Sequence, residues 1–386
     1  MSGASPVEPG SSSTEIHLVL LGAGHVHLHV LQGLARQGAQ AGDFKNVRIT
    51  LVSPYDRQLY SGMVPGFVAG HYALDQCFIP LEQLLRRSHA SFIRDCAIGI
   101  DACERTVRLA GGRLLHYDLL SIDVGPVMNR DNIEVRMPGA RTHALFVRPI
   151  ETFGQLWPRV ALMSKNRKQP LRLALIGAGA AGLELAMAAA YALPLAKVTL
   201  VTGGGVAAQN YPPAVQRKVA KALQRLGITV IEDTCKSLQA GQLTLGSGAR
   251  LACDAPLLAV GADAPPWLAD SGLALDDQGF ISVNAYQQST SHTEVFAAGD
   301  AATRVDAPLP RSGVYAVRSG PPLLANLKAL IDGKTLKAYQ PPRRTLNLLS
   351  CGQSYAIAIW GPLSVEGRWV WHWKDRIDRR FVAQYT

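Results

Sequence analysis

Leu18-Val19-Leu20-Leu21 is an unbroken apolar run, and Gly22-Ala23-Gly24 is a tight turn. From His25 onward, Val26, Val30, Leu31 and Leu34 recur on one helical face. A strand, a glycine turn and a helix in that order open a dinucleotide-binding unit. The first glycine permits the turn, and the second lets the backbone approach a diphosphate on the positive end of the helix. His27 stands at the third glycine position, so this copy departs from the full fingerprint. A second copy, Gly177-Ala178-Gly179-Ala180-Ala181-Gly182, is complete and follows the apolar run 171–176. Two fingerprints predict two dinucleotides held in one enzyme.

Working outward, each fingerprint is followed by an apolar second strand, 47–52 and 198–201. An acid after such a strand commonly holds the adenosine ribose. Ser53 and Thr202 stand there instead, which leaves NAD versus NADP open. Residues 60–66 and 70–72 are dense in Gly and Pro and predict a loop over a ligand at the carboxyl ends of the strands. Residues 106–117 and 243–251 read as hairpins, and each half then has a strand closing in Val-Gly, at Gly125 and Gly261. A further apolar strand at 295–298 ends in Gly299-Asp300. It does not complete the second unit, so the economical topology returns the chain to the first sheet. Residues 148–163 and 313–330 read as helical, with Pro158 limiting the former and Pro321-Pro322 kinking or restarting the latter.

The expected fold is α/β: two Rossmann-like domains, the second inserted in the first, each with a small antiparallel excursion, plus a C-terminal cap or interface region. The expected boundaries are a disordered tail at 1–14, a discontinuous first domain at 15–140 and 262–335, a second at 141–261, and the cap at 336–386.

The 386 residues carry 39 Lys and Arg against 29 Asp and Glu, a formal charge of +10. No dense basic block or nucleic-acid module accompanies that excess, so it reads as a surface that helps anionic dinucleotides arrive, with no nucleic-acid partner. The six scattered cysteines predict a reducing cytoplasm. The Gly/Ser/Pro-rich start lacks the pattern of an export signal. Segment 173–195 contains a fingerprint and Glu184, and reads as a buried strand and helix, leaving only peripheral membrane contact. His25 and His27 read as packing residues, with no metal site.

With both fingerprints and Gly299-Asp300 in view, the chain resembles the two-dinucleotide-binding-domain flavoproteins. These form the pyridine nucleotide-disulfide oxidoreductase superfamily, which includes the type-II NADH dehydrogenases. The resemblance extends to a subgroup that also occurs fused to selenide, water dikinase. It is carried by Gly22 to His27, by Tyr60-Ser61-Gly62-Met63-Val64-Pro65-Gly66, and by Trp373-Lys374-Asp375-Arg376-Ile377-Asp378-Arg379-Arg380-Phe381.

That resemblance implies an FAD-binding first domain and an NAD(P)H-binding second domain. Gly22 and Gly24 would take the FAD diphosphate, with His25, Ser53, Pro65, Gly125, Gly299 and Asp300 beside the same cofactor. Gly313 would open a helix facing the flavin ring. Gly177, Gly179 and Gly182, with Thr202 and Gly261, would take NAD(P)H, and Glu184 would lie near the nicotinamide. Tyr60 and His71 are the candidates for proton handling. No Cys-x-x-x-x-Cys follows the second strand, so electrons would pass directly from flavin to a small-molecule acceptor, a quinone among the candidates.

Two alternatives stand beside this. A sulfide or selenium donor would need Cys351 and one of Cys77, Cys96 or Cys103 at the flavin. A regulatory flavin-binding protein without turnover would fit the missing ribose acids. Near the end of the chain, Trp360, Trp369, Trp371 and Trp373 accompany Lys374, Arg376, Arg379 and Arg380, which suits the inner face of a membrane. Asp375 and Asp378 interrupt that charge, and Ile377 and Phe381 form a short stripe. A terminal helix packed in a homodimer or against the flavin domain fits equally.

Overall fold

In the computed structural model, which describes residues 15–37 and 46–386, two five-stranded parallel sheets repeat one plan. The expected tail at 1–14 lies outside the described residues. Across the first sheet the strands run Val295–Ala297, Leu119–Ile122, Ile16–Leu21, Val47–Ser53 and Ser91–Arg94. Across the second they run Leu145–Phe146, Ala255–Leu258, Arg172–Ile176, Lys197–Val201 and Thr229–Ile231. The fingerprint strand is central in both. Such strands are covered on both faces, which is why Leu18, Val19, Leu20 and Leu21 are all fully buried.

Pairing of Val295–Ala297 with Leu119–Ile122 brings the chain back to the first sheet after the second is complete. The second domain is therefore inserted in the first. Each sheet carries its antiparallel excursion: Ala97–Asp101 with Thr106–Leu109 and Leu114–His116, and Cys235–Gln239 with Gln242–Leu245 and Arg250–Ala252.

Two helices overrule their prolines. Ile150–Lys165 runs through Pro158, and Gly313–Ile331 runs through Pro321 and Pro322 as one helix. Burial explains the second case: Ala316, Ser319, Gly320, Leu323 and Leu327 are buried, and the helix packs on the first fingerprint helix, His25–Gln37. A Cβ at Gly320 would fall 2.7 Å from that of His29, so the two helices touch closely. Packing along the whole face outweighs the hydrogen bonds lost at the two prolines.

The 60–68 stretch is not open loop. Ser61–Met63 is a 3₁₀ turn leading into the short helix Val64–Val68, with Pro65 in its first turn and buried. The cap is a three-stranded antiparallel sheet of Leu346–Ser350, Ala356–Trp360 and Leu363–Gly367. The terminal helix, Arg368–Ala383, buries Val370, Lys374, Asp378 and Val382, a four-residue spacing that defines one face. Val370 of that face packs on Ala356 and Ala358 of the cap sheet, while Lys374 and Asp378 meet Gly62 and Tyr60 of the first domain. Beside them Phe381 stacks on Tyr60, and the Gln32 side chain donates to the Gln384 carbonyl.

Candidate functional site

The two fingerprints produce the same backbone. Gly22 N donates to the Val52 carbonyl and Gly177 N to the Val201 carbonyl, each at 2.8 Å. Gly22 has φ +86° and Gly177 φ +111°, the left-handed region that glycine enters without strain. A Cβ at Gly22 would strike the Asp123 carbonyl, and one at Gly177 the Ala259 carbonyl. The Gly24 and Gly179 carbonyls accept the first bonds of the helices His25–Gln37 and Ala180–Ala192, from Leu28 N and Leu183 N, at 3.0 Å each. Both strand ends thus aim a helix N-terminus at the space above the sheet, the geometry that receives a diphosphate.

At the third position the two diverge. A Cβ at Gly182 would collide with the Gly177 carbonyl. In the first copy the larger His27 fits because its ring makes bonds of its own, at 2.6 Å from Nδ1 to the Gly22 carbonyl and 2.8 Å from Nε2 to Ser121 Oγ. Burial pushes the His27 imidazole down to about 4, so near neutral pH it is uncharged. The carbonyl requires the proton on Nδ1, which leaves Nε2 to accept from the Ser121 hydroxyl.

Asp123 was not marked by the fingerprint, yet it stands at the centre of the first cradle. It is 4% exposed, and its Oδ2 accepts from Val26 N at 2.9 Å and His27 N at 3.1 Å. It therefore caps the helix for Gly24, which has no side chain to do so. A Cβ at Gly24 would collide with this carboxyl, and one at Gly299 (φ +64°) would come within 2.7 Å of its Oδ1. Burial raises the acid to about 8 against the pull of its two amide partners. Its only sequence signal was an acid where the second copy carries Ala259.

Asp300 follows Gly299 in this cradle, raised by burial and pulled back by Arg148 and Arg311. A cleft of about 50 Å³ beside it is lined by Gly299, Asp300, Arg311, Tyr315, Gln287 and Tyr339. Gln287 Oε1, Arg311 Nε and the Tyr339 hydroxyl are buried there without partners. His25 Nε2 is likewise buried and unpartnered, and burial with Arg148 nearby holds His25 at about 4. Glycines that admit no Cβ, open space at Gly125, Gly179 and Gly313, and orphaned polar atoms together fit large polar dinucleotides.

The ribose positions are less committed. Ser53 is buried at its strand end, its Oγ accepting from Tyr55 N at 3.3 Å. The Thr202 hydroxyl is turned onto the Gly205 carbonyl across Gly203 and Gly204, both at positive φ. Gly261 (φ +66°) closes its strand as Gly125 (φ +68°) does in the first domain.

A buried ionic cluster joins the two domains. Glu184, in the second fingerprint helix, accepts from Ser350 N at 2.7 Å. Burial pushes Glu184 up to about 7, opposed chiefly by the Lys374 charge. Lys374 Nζ donates to Asp378 Oδ2 at 2.6 Å and to the Gly62 carbonyl at 2.7 Å. The Tyr60 hydroxyl donates to Asp378 Oδ1 at 3.2 Å, and its ring lies 5.6 Å from that of His25. Burial and Asp378 raise the Tyr60 phenol well above its ordinary value, so it stays a neutral donor. In the sequence Lys374 and Asp378 stand in the 373–381 motif and among the charges of the terminal segment; their i,i+4 spacing was the available signal of a pair.

The structure brings Tyr60 and Glu184 to one junction but not His71. His71 Nε2 donates to the Gly352 carbonyl at 2.8 Å, with its ring against Tyr191 and Trp371. Tyr191 lies seven residues beyond Glu184 on the same helix, about 10 Å along its axis.

All six cysteines are free. Burial pushes Cys77 and Cys351 up to about 12, so neither is a thiolate near neutral pH. Among the described residues no helix is long and apolar enough to cross a membrane.

Similar proteins share this architecture. A demethylphylloquinone reductase, NdbB, of Synechocystis is 25% identical over 337 residues, covering 83% of this chain and 82% of its own. The ferredoxin–NAD(+) reductase component of the p-cumate 2,3-dioxygenase system of Pseudomonas putida is 27% identical over 292 residues, 74% of this chain and 68% of its own. Among solved structures, NDH2 of Plasmodium falciparum in complex with NADH superposes with a TM-score of 0.78 at 13% identity, covering 96% of this chain and 97% of its own. The sulfide:quinone oxidoreductase of Aquifex aeolicus gives 0.77 at 17% identity, covering 96% and 91%. Residues 16–320 match the family described as pyridine nucleotide-disulphide oxidoreductase, and the chain belongs to that family.

Proposed function

We propose that this chain is an FAD-dependent oxidoreductase that takes a hydride from NAD(P)H and passes electrons to a quinone-class acceptor. The carrying observation is the buried cluster between the two cradles. Glu184, two residues past the second fingerprint, feels the charge of Lys374, which is paired with Asp378, and Asp378 is bonded to Tyr60 beside His25 at the first. When bound, the flavin would supply the two-electron chemistry and the choice of one- or two-electron delivery.

The chain's own residues supply binding, alignment and protons. Gly22, Gly24, Gly299 and Asp300 hold the FAD, while Gly177, Gly179 and Gly182 hold NAD(P)H. Glu184, titrating near 7, holds or releases a proton at the junction, and Lys374 keeps that carboxyl within its charge. Tyr60 keeps its hydrogen bond to Asp378 and covers His25, excluding water from the junction. In this reading 15–140 with 262–335 is the FAD domain, 141–261 the NAD(P)H domain and 336–386 the cap. The 22–27, 60–66 and 373–381 motifs support kinship with the selenide, water dikinase fusion subgroup.

The quinone assignment rests on the quinone-reducing relatives and on the exposed Trp369 and Trp373, stacked on the basic terminal helix. Anaerobic titration with NADH or NADPH should bleach a flavin band at about 450 nm, and a short-chain quinone should restore it. Bound FAD that neither nucleotide reduces would refute the reductive step. Reduction without reoxidation by quinone would refute the acceptor alone.

A further inference from the structure

The first cradle contains an acid where a diphosphate must arrive. Of the first-turn amides of the helix His25–Gln37, Val26 N and His27 N are already taken by Asp123 Oδ2. Gly24 and Gly299 close around that carboxyl, and Gly22 closes on the backbone carbonyl of the same residue. The second cradle has Ala259 at the matching place, with no carboxylate. We propose that an ionised Asp123 and the diphosphate of a dinucleotide compete for the positive end of this helix, so that loading the first cradle is coupled to protonation of Asp123 while loading the second is not. The proposal rests on the FAD reading of the first domain.

The groups facing Asp123 leave little else to neutralise it. Asp300, on the adjoining 299–301 turn, is of like sign. His25 and His27 on the facing helix are both uncharged near neutral pH. Arg148 and Arg311 act on Asp300, not directly on Asp123. With its surroundings so short of positive charge, an incoming dianion favours the neutral acid, whose oxygen still accepts from both amides.

The sign follows from linkage. Asp123 in the unloaded protein titrates at about 8, and a bound diphosphate moves that midpoint higher. Below the unloaded midpoint the acid is protonated in both states, and FAD affinity is flat. Above it, binding takes up a proton, and affinity falls by up to about tenfold per pH unit.

The test is calorimetric titration of FAD into the flavin-stripped full-length protein across about pH 6.5 to 9.5, in buffers of different ionisation enthalpy. The expected result is a constant Kd below about pH 7.5, a rise of about tenfold or more by pH 9.5, and proton uptake visible as a buffer-dependent enthalpy only in the upper range. Asp123→Asn keeps the acceptor and removes the titration, so its Kd and enthalpy should be flat. NADH binding to wild type, with Ala259 at the matching place, should be flat as well. FAD binding in wild type that is independent of pH and buffer would overturn the proposal and leave the FAD reading intact. An unchanged pH dependence in Asp123→Asn would also overturn it. Absence of FAD binding at every pH would overturn both. Should Asp123→Asn fail to fold, the buffer dependence of the wild type decides alone.

Discussion

Single residues carry opposing charges of information in this chain. Gly182 was readable because nothing larger fits against the Gly177 carbonyl. Gly182→Ala is therefore expected to cost about 1–3 kcal/mol in urea unfolding and to weaken NADH binding, with FAD binding retained. His27 broke the pattern without breaking the fold, since its ring replaces a glycine's close approach with two hydrogen bonds. Buried titrating groups also give stability a legible pH dependence. His25 and His27 fall from 6.5 to about 4 on folding, so they make stability rise with pH across that interval. Asp123, raised from 3.8 to about 8, and Glu184, raised from 4.5 to about 7, bind protons better when folded and make stability fall as pH rises through those ranges. Up to 6.5 the two histidines and the two acids oppose each other; above it these acids act without the histidines. Thermal unfolding of the flavin-free protein should thus show Tm declining from about pH 6.5 to 8, and a Tm rising there would contradict these shifts.

Among elements, the terminal helix shows how spacing is visible while partnership is hidden. The stripe of Val370, Lys374, Asp378 and Val382 buries two opposite charges side by side against the 60–66 segment. Lys374→Met leaves Asp378 buried without its cation and is expected to destabilise by about 3–5 kcal/mol in chemical denaturation. Lys374→Met with Asp378→Leu should recover most of that loss, because a well-packed apolar pair avoids the desolvation of both ions. Equal destabilisation in the single and double variants would show that shape, and not charge, holds the helix. Pro158, Pro321 and Pro322 make the complementary point. Local propensity argued for breaks, and burial of the helix faces prevailed.

At the scale of the whole molecule, the terminal helix reaches the first domain through Lys374 and Phe381 yet leaves Trp369 and Trp373 exposed and stacked, 6.3 Å apart. Full-length protein is expected to sediment with anionic vesicles at low salt, and Trp369→Ser with Trp373→Ser to stay in the supernatant. Equal sedimentation of both proteins would place the lipid contact elsewhere. The paired strands, turns and returning Gly299-Asp300 strand were enough, from sequence, to give two parallel sheets with one inserted in the other. Parallel strands buried on both faces leave long apolar runs, and close backbone approach leaves glycines, and both are local marks. What surrounds a site was not legible in that way. Asp123 meets Val26 and His27 across 97 and 96 residues, and Lys374 meets Gly62 across 312. Such contacts exist only once the sheets are assembled, because distant segments leave no periodicity in each other. The sequence by itself therefore determined the architecture and both glycine turns; only the tertiary structure decided which charges are buried together and what they can do there.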